Sequence, residues 1–420
     1  MLFGSAILLL AVACTDSGNG GTNGGVFSSG AGRAAVLTKT LSIGPRTRGA
    51  EYQFDRILDL LAMPDGTVWV LSADLAIDGK NSRVRIFDST GQFVRQVGAY
   101  GKGPGEYEKP YGMARLADGK VAVRDNGFPE RILLYESDGT SHADMITDGR
   151  TQWPKLGNFR WIPGGSEAIR SDTFGVVWLP FDPSEIHTDS GYTYSSRYVR
   201  VRPGGQFIDV VDSAELPMIP ESRVTWTKVQ STGGGSVLGF SIPYQPHGDF
   251  ALSPGAQFAV GRTDKYQIDV MDMQLVQDPT EHAPPTTPRV IRVIKRSAPT
   301  VRVSQAEQDS ILAQWKRDEK RLRLDSLVTF PAPAKIKPPI VHFDYSDDGQ
   351  LLVWVAQPST LIEGKWVESQ VVDVFDQTGN FTGRLNLPPR FSLKRLKGNT
   401  MWGVSTDKGS EVPERITIRW

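Results

Sequence analysis

Polar and apolar positions along the chain fall into a short recurring unit: a turn centred on glycine, then a run of apolar or β-branched residues. It reads Pro64-Asp65-Gly66-Thr67-Val68-Trp69-Val70, then Ala117-Asp118-Gly119-Lys120-Val121-Ala122-Val123. Further copies are Pro163-Gly164-Gly165-Ser166-Glu167-Ala168-Ile169 and Ser253-Pro254-Gly255-Ala256-Gln257-Phe258-Ala259. The last two are Asp347-Asp348-Gly349-Gln350-Leu351-Leu352-Val353 and the degenerate Leu396-Lys397-Gly398-Asn399-Thr400-Met401-Trp402. Glycine reaches positive φ at little steric cost, and an uninterrupted apolar run suits a strand covered on both faces. A second unit follows at variable distance, IFDSTGQF at 86–93, VFDQTGNF at 374–381, and LYESDG at 134–139, with a looser copy at 201–207. It reads as a strand, a hairpin turn and an outer strand.

Two hairpins per repeat make a four-stranded antiparallel sheet, and six such sheets around an axis make an all-β, six-bladed β-propeller. The long intervals between Gly165 and Gly255 and between Gly255 and Gly349 require insertions. A start of a seventh blade at 232–237 lies too close to Gly255 for a separate sheet, so six blades are expected. The insertion at about 273–339 holds a Pro-rich loop, 277–288, and a helix, 304–327. Ser304-Gln305-Ala306-Glu307 reads as a capping box, with Ile311, Leu312, Trp315 and Leu322 on one side. Lys316, Arg317, Asp318, Glu319, Lys320, Arg321 and Arg323 suit a solvated face, or a partner-docking one. The segment 36–43 alternates well enough to complete the sheet that ends with 414–420, closing the ring and removing an open edge.

Composition narrows the function. With 47 Lys+Arg against 47 Asp+Glu the chain has no field to hold a polyanion, so no nucleic acid is expected as a partner. One cysteine permits neither an internal disulfide nor a thiolate cluster. A hydrophobic fraction of 39% and a mean hydropathy of −0.28 fit a soluble folded body, expected to be monomeric.

The lone cysteine follows an apolar run, MLFGSAILLLAVA at 1–13, too short to span a bilayer. Ala11-Val12-Ala13-Cys14 resembles the lipobox of bacterial lipoproteins. The resemblance implies a signal peptide over 1–13, lipidation at Cys14 and a membrane anchor. No Lys or Arg precedes the run, a departure from the usual signal. Residues 14–35 read as a flexible Gly/Ser-rich tether ahead of a propeller domain over 36–420. By the same resemblance, Thr15 rather than Asp after the cysteine implies the outer membrane, so the expected location is the bacterial cell envelope, facing the periplasm or the exterior.

Gly98-Ala99-Tyr100-Gly101-Lys102-Gly103-Pro104-Gly105-Glu106-Tyr107 resembles the G-x-x-G-x-G-P-G-E-[FY] signature of six-bladed propellers of the NHL-repeat type. The resemblance implies that this run connects two blades. A phosphate-loop reading fails because no Gly-Lys-Ser/Thr follows, Pro104 lacks a backbone donor and no helical pattern comes next.

In a propeller the loops leaving each second strand share a face with the inter-blade connections. Those loops hold Asp74, Arg124, Asp125, Arg170, Asp172, Arg262 and Asp264, which with Glu106 form a mixed-charge ring at the channel mouth. Such a ring either seals the loops with salt bridges or receives a polar ligand. The competing expectation is an enzyme assisted by Ca or another divalent cation, resembling gluconolactonase-type hydrolases or NHL-type lyases. Asp125 and Asn126 are then the nearest metal candidates, although an Asx turn explains them too. The five histidines, His142, His187, His247, His282 and His342, show no ligand spacing, and no catalytic signature occurs. The favoured expectation is a tethered, non-catalytic module, without cofactor, that binds a protein or a small polar ligand.

Overall fold

The computed structural model describes residues 25–27, 32–44, 49–73, 82–125, 131–147, 169–173, 175–188, 191–202, 207–212, 216–217, 225–231, 234–240, 243–272, 289–322, 332–407 and 409–420. Among them stand six antiparallel blades of four strands, each running outward from an axis. The first comprises Arg56–Ala62, Val68–Ala73, Arg83–Phe87 and Phe93–Val97, the second Pro110–Arg115, Val121–Asp125, Arg131–Tyr135 and Ser141–Thr147. The third holds Arg170–Ser171, Val177–Thr188, Gly191–Val201 and Phe207–Asp212, the fourth Gly248–Leu252, Gln257–Arg262, Gln267–Asp272 and Arg289–Lys295. The fifth holds Ile340–Tyr345, Leu351–Val355, Val371–Phe375 and Phe381–Asn386. The sixth joins Phe391–Lys397, Thr400–Asp407 and Ser410–Arg419 to Val36–Ser42, which pairs antiparallel with the last of them. The chain is therefore an all-β six-bladed propeller with one helix, and an N-terminal strand closes its last blade.

The inner hairpins form because each turn closes on itself. Met63 N–H donates to Thr67, Leu116 to Lys120, Ser253 to Gln257 and Ser346 to Gln350, and the N–H three residues into each turn bonds back to its first carbonyl. The outer turns repeat the device, with the Asp88 carboxylate accepting from Thr90 and Gln92 and Asp376 from Thr378 and Asn380. The second strands that follow are buried along their length, because neighbouring sheets cover both faces. Trp69 packs with Met113 and Tyr135 between the first and second blades, and Phe343 with Tyr266 and Phe375 between the fourth and fifth. Burial of such side chains is worth about 2–3 kcal/mol each and drives the ring together.

In the third blade the inner turn runs over 172–176, where Asp172 N–H donates to Val176 and Gly175 sits at φ 81°. The copy expected at 163–169 falls, apart from Ile169, outside the described residues. Trp178 is the counterpart of Trp69, three residues past the turn glycine in both blades and fully buried in both.

The remaining pieces decorate this ring. Thr225–Ser231 and Gly234–Phe240 pair only with each other among the described strands, so the segment considered for a seventh blade is a hairpin. Ser359–Ile362 and Lys365–Glu368 form a second hairpin within the fifth blade. Gly25–Phe27 and Arg33–Ala34 run parallel to the outermost strands of the fourth and fifth blades. The helix spans Gln305–Leu322, and no described helix is long and apolar enough to cross a membrane. Residues 323–327 of its expected extent, and the Pro-rich loop, lie outside the described residues. Ser304 Oγ accepts from Glu307 N–H as a cap should, but the Glu307 carboxylate turns away from the helix end.

Candidate functional site

The two ends of the propeller differ. Inner-strand turns gather at one end, and inter-blade connections with the loops leaving second strands gather at the other. Along the axis, the inner strands present free backbone edges that need partners. Asp59 supplies one, accepting Met113 N–H of the next blade at 2.9 Å, and Asp249 supplies another, accepting Phe343 N–H at 2.8 Å. Arg395 of the sixth blade then reaches Asp59 of the first at 3.1 Å, while donating to the Leu60 and Met113 carbonyls. Arg170 of the third blade crosses to Asp344 of the fifth at 2.7 Å. The channel is thus bridged by its own charge pairs. A cavity of about 320 Å³ remains at the turn end, with Asp172, Asp347, Arg395 and Lys397 in its lining. Burial pushes the Asp347 carboxyl up, against the opposing pull of Arg395 and Arg170.

The sequence-derived candidates are distributed over both ends. Arg170 and Asp172 sit on the innermost strand and its turn, because the turn at 172–176, rather than a loop after the second strand, follows them. Asp172 accepts from Val176 N–H and Trp178 Nε1, so its carboxylate organises the turn. Arg262 and Asp264 pair with each other at 3.0 Å. Arg124 is 2% exposed and Asp125 fully buried. Asp125 accepts from Glu108 N–H, Lys109 N–H and Arg131 Nε, while Arg131 donates to the carbonyls of Gly101, Lys102 and Glu106. The pair therefore clamps the run 98–107 as the connection between first and second blades. Gly98 sits at φ 66°, and a Cβ there would come within 2.8 Å of the Gly105 carbonyl, while Gly105 itself sits at φ 71° with Ser141 where its Cβ would be. Glu106 turns back into this loop to accept Gly103 N–H at 2.8 Å. Asp74, Asn126 and Cys14 lie outside the described residues.

At the connection end, beside the axis, a cleft of about 750 Å³ opens between the entry to the fourth blade and the fifth and sixth blades. Tyr244, Trp354 and Trp366 bring aromatic surface to it, and Glu368, Gln370, Ser392 and His342 bring polar groups. One wall is a buried ion network. Lys337, with a side chain 1% exposed, lies 2.6 Å from Glu368 and 3.6 Å from Glu307, and donates to Ser359 Oγ and the Gln357 carbonyl. Its ammonium also sits 4.4 Å from the Tyr244 ring centroid. Glu307 accepts from the Tyr244 and Ser359 hydroxyls, which is where its expected capping interaction has gone. Burial opposes ionisation of Glu307, but those hydroxyls and Lys337 hold its carboxyl below the ordinary value. The helix is fastened to the fifth blade by this network, with Trp315 buried beneath it.

His342 also lines the cleft. Its Nδ1 is 2.8 Å from Asp249, and its ring lies 5.5 Å from that of Trp354. Burial disfavours the charged ring, but the hydrogen bond and charge of Asp249 prevail and raise its pKa above the ordinary 6.5. No group of three or more His, Cys, Asp or Glu side chains among the described residues is arranged to hold a metal ion.

Fold and site together define a propeller with a bridged axis and an open cleft at its connection end. A family model described as a 6-bladed beta-propeller matches residues 66–126, the stretch that includes the clamped connection. No curated protein matches the chain. Among solved structures it is similar to a protein described as exported from Bacteroides fragilis, with 11% identity over 92% of this chain and 96% of that one, at a TM-score of 0.43. A PQQ-bound aldose sugar dehydrogenase from Streptomyces coelicolor matches at 12% identity over 92% and 98% of the two chains, TM-score 0.40. A gluconolactonase from Xanthomonas campestris matches at 13% identity over 94% and 100%, TM-score 0.38.

Proposed function

We propose that this protein is a binding module of the bacterial cell envelope, held at a membrane through Cys14, that takes a small ligand in the cleft beside the fifth and sixth blades without transforming it. The observation that carries the reading is the cleft itself. It pairs aromatic walls with polar groups at the end where inter-blade connections converge, whereas the axial route is spent on internal ion pairs. The short N-terminal apolar run and its cysteine support the membrane attachment.

Two measurements test the two halves. Cys14→Ser is expected to move the protein from the membrane fraction to the soluble fraction, and a variant that stays membrane-bound refutes the anchor. A fragment library followed by ligand-observed NMR is expected to give binders that Trp366→Ala releases. Binders indifferent to that change would place the site elsewhere.

One arrangement favours a second reading. An imidazole held at Nδ1 by a carboxylate, with Nε2 left for the cleft, is set up for proton transfer. Under this reading His342 is a general base in a hydrolase or lyase, and turnover of a lactone panel that His342→Gln abolishes would replace the non-catalytic proposal.

A further inference from the structure

We infer that the occupant of the cleft is a neutral saccharide, a short glycan segment without acidic groups. This rests on the cleft being the ligand site. The charges in the cleft wall are already answered. Lys337 is held between Glu368 and Glu307, and His342 faces Asp249. A charged ligand would have to displace one of these pairs and leave a buried ion uncompensated, which costs several kcal/mol. Neutral hydrogen-bonding groups, by contrast, are left open. Among the described residues, the side-chain amide of Gln370, the hydroxyl of Ser392 and the indole N–H groups of Trp354 and Trp366 line the cleft without a partner in the protein. They supply both donors and acceptors, spread over a wall rather than gathered at one point.

The ligand that matches such a set presents many hydroxyls, each a donor and an acceptor, and also an apolar face to lie on indole. A pyranose does both. Its axial C–H groups carry slight positive charge and meet the negative face of an aromatic ring, while its equatorial hydroxyls point to the rim. A purely apolar ligand would leave Gln370 and Ser392 desolvated and unpaired. A cavity of about 750 Å³ falls within the range of small-molecule sites and accommodates roughly two or three pyranose rings. Trp366 stands on the Lys365–Glu368 strand of the inserted hairpin, so this hairpin supplies the platform that the regular blade lacks.

The test is a glycan array of neutral and acidic oligosaccharides probed with the purified full chain, with affinities of retained glycans measured by calorimetry. Neutral glycans are expected to be retained, and Trp366→Ala and Gln370→Ala are each expected to weaken them by roughly tenfold or more at unchanged melting temperature. Lys365→Ala, on the same hairpin but outside the cleft lining, is expected to bind as the parent does. Retention of acidic glycans alone, or of none, overturns the saccharide while the fragment experiment still decides whether the cleft binds anything. Neutral glycans retained equally by both cleft variants overturn the cleft as their site.

Discussion

The axial channel and the lateral cleft are built from the same ring and hold similar side chains, yet they have opposite fates. In the channel, two arginines each meet a carboxylate from another blade. Arg395 joins the sixth blade to the first and second, and Arg170 joins the third to the fifth. In the cleft the charges are instead paired within the walls, around Lys337 and between His342 and Asp249, and the groups left without a partner are aromatic or neutral. Position near a propeller axis therefore does not make a charged residue functional. What matters is whether a partner blade has already claimed it.

That contrast can be broken in graded ways. The largest effect is expected from Lys337→Met, which leaves Glu307 and Glu368 without their buried cation and should cost about 3–5 kcal/mol in a denaturant melt, loosening the helix from the fifth blade. Arg395→Met removes a bridging cation, but Asp59 keeps its N–H donors from Leu60 and Met113, so a smaller loss of about 2–3 kcal/mol is expected. Equal losses for the two would mean that the channel pair is as poorly compensated as the cleft wall. Arg170→Ala opens the second crossing, and because that pair is partly solvated it should lower stability by no more than about 1 kcal/mol.

The smallest effect lies in pH dependence. His342 has a raised pKa, so its stabilisation is fully present below the ordinary value of 6.5 and is lost as pH rises through the folded value. Glu307 has a depressed pKa, so its contribution holds above 4.5 and is lost as pH falls through the folded value. His342→Gln should therefore flatten the alkaline side of the melting-temperature profile and leave the acid side alone. With the His342 side chain 47% exposed, solvent screens much of this interaction and the change should be slight.

Much of the fold was legible because turn glycines and the buried strands after them are local in sequence. The repeat at Gly66, Gly119, Gly255 and Gly349 marks true inner turns, and closure by the segment beginning at Val36 followed from its alternation and from the strand-like 414–420 that needed a partner. The third turn was less visible, since Pro163-Gly164-Gly165 carries a stronger glycine signal than Asp172 to Val176. Trp178, placed as Trp69 is, was the available clue. The candidate site was hardly legible. His342 and Asp249 lie 93 residues apart, and Lys337 reaches Glu307 and Glu368 from a proline-rich stretch with no periodicity. Only folding brings such groups together. The residues expected at the channel mouth were chosen by their place after a strand, which cannot tell a clamp such as Asp125 from an open ligand group.

The closing strand carries a consequence for biogenesis. Lys39 and Glu414 pair across 375 residues, so the strand Val36–Ser42 waits for a partner made long after it. Closing a loop of that length costs about 5 kcal/mol in chain entropy before any contact repays it. The blades can stack as they are synthesised, but the ring cannot lock until the strand Ser410–Arg419 has been made. Until then, the sixth blade waits with an unfilled edge that any passing extended segment can enter.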